Sequence, residues 1–182
     1  MGIRSGYFSG RPSYSDGPMF PNFLPNQPYN SVGQHYRARF GCKVYKVSVS
    51  VAQTCPNRLG LNGMSVCSFC DQWGSAAYPD EAVLPVPLQV RRIREHIRRS
   101  YGAEKFVVYF QAYTNTFDPI ERLEARFREA LAEEDVVGLI VGTRPDCLPP
   151  EMLALLKRLA GETYVSVELG VQTLDEAQLR WL

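Results

Sequence analysis

Residues 43–51, K-V-Y-K-V-S-V-S-V, run almost directly into residues 54–70, T-C-P-N-R-L-G-L-N-G-M-S-V-C-S-F-C. The first piece alternates apolar and polar side chains, which predicts a β-strand. The second, with its proline, glycines and asparagines, reads as a loop. It carries Cys55, Cys67 and Cys70 in the spacing C-x11-C-x2-C. Three thiolates suit a soft metal centre, either zinc or an iron–sulfur cluster. Three ligands instead of four leave one metal position open for chemistry, the same difference that separates catalytic from structural zinc sites.

Outward from this loop the chain alternates strand and helix patterns. Further strands are expected at 105–111, 136–142 and 164–170, and helices at 87–101, 118–133 and 149–160. Ile93, Ile97 and Tyr101 follow helical spacing, with arginines on the other face. Asp118-Pro119-Ile120-Glu121 reads as a capping box opening the second helix, and Ile120, Leu123, Phe127 and Leu131 form its apolar stripe. Met152, Leu155, Leu156 and Leu159 form the third stripe, which Gly161 ends. Thr173-x-x-Glu176 reads as a capping box for a fourth helix. Apolar strands alternating with helices mean a parallel α/β sheet or barrel. A barrel of eight such units takes ~250 residues, so this chain holds about four, and it is expected to be a fragment of a longer protein or a naturally incomplete barrel. Residues 1–30 are rich in Gly, Pro, Ser, Asn and aromatics. The expected division is an irregular leader over 1–41 and a core over 42–182.

Composition bounds the partners. The chain has 182 residues, 45% hydrophobic and 21% charged, with a net charge of +1. No whole-protein basic field exists to drive nonspecific binding of nucleic acid. No apolar run approaches the ~18–20 residues of a membrane helix, and no secretory signal pattern opens the chain. Five cysteines, an odd number, argue for reduced thiols and metal binding over a disulfide framework, hence a cytoplasmic location.

Three more stretches accompany the cysteine loop: Y-F-Q-A-Y-T-N-T (109–116), G-T-R-P-D-C-L (142–148) and V-E-L-G-V-Q-T (167–173). With C-P-N-R-x-G…C-x-F-C, they make residues 29–182 resemble the radical S-adenosylmethionine (radical SAM) superfamily. More narrowly, the chain is similar to an uncharacterised bacterial family akin to the elongator catalytic subunit. Leu59 stands where that family usually has an acidic residue, and Ser65-Val66 replace its usual Gly-Gly. The resemblance implies a partial TIM-like (βα) barrel of radical SAM type. It implies a 4Fe–4S cluster on Cys55, Cys67 and Cys70, with S-adenosylmethionine (SAM) on the fourth iron. One electron would cleave SAM reductively, and the resulting radical would take a hydrogen from a substrate. A one-electron reductant such as flavodoxin or ferredoxin is implied as partner, and kinship with the elongator subunit implies tRNA as substrate.

The same resemblance marks cofactor-binding residues. Phe69, between the last two cysteines, is the aromatic whose backbone approaches the adenine. Many superfamily members carry a Gly-Gly-Glu turn after the second strand; here Thr114 and Asn115 stand in that region. Glu168 is the SAM contact, to ribose or amino group, and Gln172 is a second candidate. Arg144, at the end of the third strand, could meet a carboxylate or phosphate bidentately.

Each has a plainer reading. The cysteines could form a zinc site with Cys42 as fourth ligand, in a non-catalytic zinc-containing RNA-binding module. However, ~30 Å of extended chain separates Cys42 from the loop. Cys42 and Cys147 read as ordinary buried or loop thiols. Phe69 could be a hydrophobic plug over the metal, and Thr114 and Asn115 part of a helix-entry turn. Arg144 could pair with Asp146 within its loop, and Glu168 could belong to a structural ion pair. The run Arg91, Arg92, Arg94, Arg98 and Arg99 suggests RNA, or the solvated face of an outer helix.

Overall fold

The computed structural model describes residues 29, 31–63 and 65–181. Residues 1–28 of the expected leader lie outside the described residues. In chain order the elements are α1 (Val32–Phe40), β1 (Val44–Val49), α2 (Val86–Tyr101), β2 (Lys105–Phe110), α3 (Ile120–Leu131), β3 (Val136–Thr143), α4 (Pro150–Ala160), β4 (Tyr164–Leu169) and α5 (Glu176–Trp181). Short 3-10 turns punctuate the loops.

The four strands form one parallel sheet in the order β1-β2-β3-β4, each joined to the next through a helix. These are four consecutive βα units of a TIM-like barrel. Alternation sends Val47, Val49, Phe106, Val108, Phe110, Leu139 and Val141 to one face, where they pack with the apolar stripes of α2, α3 and α4. Phe110 meets Phe127 of α3 edge-on, with ring centroids 4.9 Å apart. Burying such a side chain fully contributes about 1.5–3 kcal/mol. The opposite face carries Val44, Val107 and Ile140 under Tyr36 of α1. That helix closes the N-terminal end of this inner face with an aromatic cluster: Tyr36 and Phe40 both meet Tyr164 edge-on.

β2 and β3 slip register between Phe106 and Val107. Gly138 sits just past that slip. A Cβ there would collide with the Tyr164 carbonyl of β4, so glycine permits the two strands to approach.

Three local expectations change. Residues 32–40, expected within an irregular leader, form α1, because Ser31 and Gln34 cap it reciprocally and Gly41, at φ 71°, ends it in the left-handed conformation. Asp118 does not cap α3. Its carboxylate takes Arg122 at 2.9 Å and Arg126 at 2.7 Å, and Pro119 occupies the cap position. At α5 the cap is Asp175, whose Oδ1 accepts the Gln178 N–H at 2.9 Å, while Thr173 Oγ1 accepts the Asp175 N–H. Among the described residues no helix is long and apolar enough to cross a membrane.

Candidate active site at the C-terminal ends of the strands

The loops that follow the strands converge on an open cleft of about 850 Å³. This lies within the ~300–1,000 Å³ of small-molecule sites. Cys55, Cys67, Phe69 and Cys70 line one side of it; Thr114, Arg144, Glu168 and Gln172 come from the loops and ends of β2, β3 and β4. Of the candidate residues read from sequence, only Asn115 stays off the cleft wall.

The cysteine loop is held by side chains from the barrel. Gln89 of α2, 1% exposed, accepts the Ser50 N–H and donates to the carbonyls of Ser50 and Leu84. It thereby fixes where the chain leaves β1. Tyr113 clamps the far end of the loop: its N–H bonds the Gly74 carbonyl at 3.0 Å and its hydroxyl donates to the Gln72 carbonyl at 2.8 Å. Gln111 donates to the Ser75 carbonyl at 3.0 Å. Gly74 lies so close to the Tyr113 ring that a Cβ would overlap it. Ser75, Tyr113 and Gln172 all adopt positive φ and all line the cleft. Such conformations cost about 1–3 kcal/mol each and gather where a site needs a particular backbone.

The three thiols differ in surroundings. Cys55 is buried, and Cys67 and Cys70 are half-buried. Asn57 Nδ2 donates to Cys67 Sγ at 3.2 Å, and Arg58 Nη2 donates to Cys70 Sγ, also at 3.2 Å. Neither residue was singled out by the sequence reading. A 4Fe–4S cube takes each thiolate on a separate iron. Three thiols from one loop border one cleft, two of them with N–H donors, a donor set that suits an iron–sulfur cluster.

The other two cysteines stand apart from this role. Cys42 precedes β1 and packs against the cluster of Tyr36, Val44, Val107 and Ile140 at the other end of the sheet. Cys147 is buried behind β3, and burial first, then the neighbouring Asp146 carboxylate, pushes its thiol up to about 11. Its thiol is therefore less readily ionised than an exposed one.

Arg144 and Asp146 form the loop pair that was the plainer reading. The guanidinium bonds both carboxylate oxygens, at 2.8 and 2.7 Å, and also donates to Asn57 Oδ1. The Arg144 hydrogen bonds hold the Asp146 carboxyl below the usual carboxylate range, against a smaller opposing effect of burial. The Arg144 fork is thus occupied by protein groups.

Asn115 is likewise bonded within the protein. At 1% exposure, its Nδ2 donates to the carbonyls of Phe110 and Gly142 at 2.9 and 3.0 Å, clasping the ends of β2 and β3. Thr114 is buried and borders the cleft.

Glu168 has a charged partner across the sheet. Lys46 of β1 reaches Glu168 Oε1 at 2.7 Å, its ammonium lying 4.6 Å from the centroid of the Tyr109 ring. Partial burial acts to raise the Glu168 carboxyl, but hydrogen bonds from Lys46 and Tyr109 outweigh it and leave it below the usual range. Glu168 is therefore a carboxylate at neutral pH, fixed from one side and bordering the cleft on the other.

The arginines of α2 are paired too. Arg91 binds Glu133 in two hydrogen bonds, Arg92 meets Glu81, Arg94 Glu134, Arg98 Asp135 and Arg99 Glu95. This is a solvated, charge-balanced helix face.

Comparison with known proteins agrees with the motifs. Residues 49–182 match the profile of the radical SAM superfamily. The chain is 38% identical over 157 residues to the uncharacterized protein YtqA of Bacillus subtilis, covering 86% of this chain and 49% of that one. It is 37% identical over 155 residues to protein YhcC of Escherichia coli K12, covering 82% and 48%. It is 32% identical over 173 residues to the uncharacterized protein MJ0486 of Methanocaldococcus jannaschii, covering 93% and 49%. The chain thus spans about half the length of these curated relatives.

Proposed function

The chain belongs to the radical SAM superfamily, and on that premise we propose that Cys55, Cys67 and Cys70 hold a 4Fe–4S cluster beside a SAM-binding cleft. The observation that carries this reading is that the three thiols of one C-x11-C-x2-C loop border the same cleft as Glu168, Gln172 and Phe69. Bound there, a reduced cluster would supply the electron for reductive cleavage of SAM to methionine and a 5′-deoxyadenosyl radical, and that radical would take a hydrogen from the substrate.

The chain's own residues bind and orient. Phe69, 53% exposed at the cleft, offers an apolar wall and free backbone groups to an adenine. Glu168, held ionised, accepts hydrogen bonds from ribose hydroxyls or from the SAM ammonium. Gln172 lies across Gly170, whose missing side chain leaves it room, and adds an amide to the same wall. Thr114 supplies a polar group beside the cluster loop. Arg144 acts by holding Asn57 and the loop; its direct contact with SAM is not part of the proposal, because Asp146 occupies its fork.

The electron comes from a one-electron donor of the flavodoxin or ferredoxin type, and the substrate class is tRNA, by the kinship noted from sequence. The test uses the full-length protein, loaded anaerobically and reduced with dithionite. It is expected to release 5′-deoxyadenosine from SAM, slowly even without substrate. A cluster-loaded, full-length protein that forms none with any reductant would refute the reading.

A further inference from the structure

We propose that Asn57 and Arg58 are positioning residues that set the reduction potential of the cluster, through hydrogen bonds to two of its three cysteine sulfurs. The inference rests on the reading that Cys55, Cys67 and Cys70 hold a 4Fe–4S cluster. Two adjacent side chains in the loop reach two different thiols: Asn57 Nδ2 lies 3.2 Å from Cys67 Sγ and Arg58 Nη2 lies 3.2 Å from Cys70 Sγ.

Both donors are fixed from the barrel. Asn57 is 4% exposed. Its Oδ1 accepts from Arg144 Nη1, and Asp146 grips the same guanidinium through both carboxylate oxygens. An amide between a cation and a sulfur has one sensible orientation, oxygen toward the cation and N–H toward the sulfur. A relay thus runs Asp146–Arg144–Asn57–Cys67, from the end of β3 to a cluster ligand. Arg58 is held separately. It donates to the Asp71 carbonyl and its guanidinium lies 5.2 Å from the centroid of the Tyr113 ring, in the loop after β2.

The sign follows from charge. Reduction adds one electron to a centre already surrounded by thiolates. An N–H dipole aimed at a sulfur, or a guanidinium beside it, favours the more negative state and raises the potential. Such outer partners are a general means of tuning a metal centre. The competing reading is that both side chains merely fold the loop.

The experiment is a redox titration, followed by electron paramagnetic resonance, of reconstituted protein whose iron and sulfide content is measured first. Asn57→Ala and Arg58→Met are expected to load iron as the wild type does and to titrate at more negative midpoints. The double variant should be shifted furthest. Arg58→Lys, which keeps the charge, should recover part of the shift. Unchanged midpoints in fully loaded variants would overturn the inference. So would loss of the cluster in both Asn57→Ala and Asn57→Ser, since that would assign Asn57 to holding the loop. A wild-type protein that takes up no iron counts against the proposed cluster itself, and it is recognised by metal content before any titration.

Discussion

Lys46 of β1 and Glu168 of β4 meet at 2.7 Å across the full width of the sheet. Three strand spacings separate them, roughly 14 Å in a flat sheet. Two side chains on one face close that span readily only when the face is concave, as in a barrel wall. Tyr109 of β2 lies beneath the ammonium, so the inner face carries a polar bridge at the edge of the cleft.

Replacing Glu168 with Gln separates ligand binding from stability. Both partners are more than a third exposed, so losing the pair should cost under about 1 kcal/mol of folding stability. Binding of SAM to the cluster-loaded protein should weaken by about 1.5–3 kcal/mol, the value of a charge-assisted hydrogen bond. Calorimetry measures both. Normal SAM affinity with clearly lowered stability would make Glu168 a structural partner only.

Acid should loosen the Arg144–Asp146 pair in a defined direction. The folded carboxyl of Asp146 lies below its unfolded value. Its contribution is therefore complete above the unfolded range near pH 4 and is lost as pH falls through the lower folded value. Asp146→Asn should flatten the acid limb of the stability–pH curve and leave the curve above about pH 5 parallel to that of the wild type. Unaltered acid dependence would mean that the pair contributes nothing.

Cys147 should behave as a sealed thiol. Its folded value of about 11 lies above the ordinary thiol range, so the folded state favours the protonated form. That preference stabilises fully below about pH 8.5 and disappears as pH rises toward the folded value. Alkylation followed by mass spectrometry should leave Cys147 unmodified in the folded protein at pH 8. Rapid modification there would contradict its placement.

Gly74→Ala tests the clamp on the cysteine loop. The new methyl overlaps the Tyr113 ring, and the residue sits at φ 61°. Overpacking and left-handed strain together should cost about 2–4 kcal/mol. Thermal unfolding measures the loss, and a variant as stable as the wild type would show that the loop is not held by Tyr113.

Much of the fold was legible because its signals are periodic. All four strands fall within two residues of the expected ranges, since alternation and long apolar runs survive into the sheet. Helix α1 was missed although Ser31-x-x-Gln34 and Gly41 carried its start and stop signals. Its apolar residues Val32, Tyr36 and Phe40 recur every four positions, but over only nine residues the stripe is too short to stand out among the polar ones. The caps at Asp118 and Thr173 were misread because a carboxylate or hydroxyl near a helix start has competing partners: arginines took Asp118, and Asp175 replaced Thr173. In the site, spacing brought the three cysteines together. It could not reveal Asn57 and Arg58 as sulfur donors, because their orientation depends on Arg144 and Tyr113, residues far along the chain. Nor could it name Lys46 as the ion-pair partner of Glu168, 122 positions away.

The most direct measurement is iron and acid-labile sulfide per chain after anaerobic reconstitution, in the wild type and in five single Cys→Ala variants. The wild type should turn brown and hold about four irons and four sulfides. Cys55→Ala, Cys67→Ala and Cys70→Ala should lose them, whereas Cys42→Ala and Cys147→Ala should keep them. Stoichiometric zinc with no uptake of iron, or loss of metal on replacing Cys42, would contradict the account.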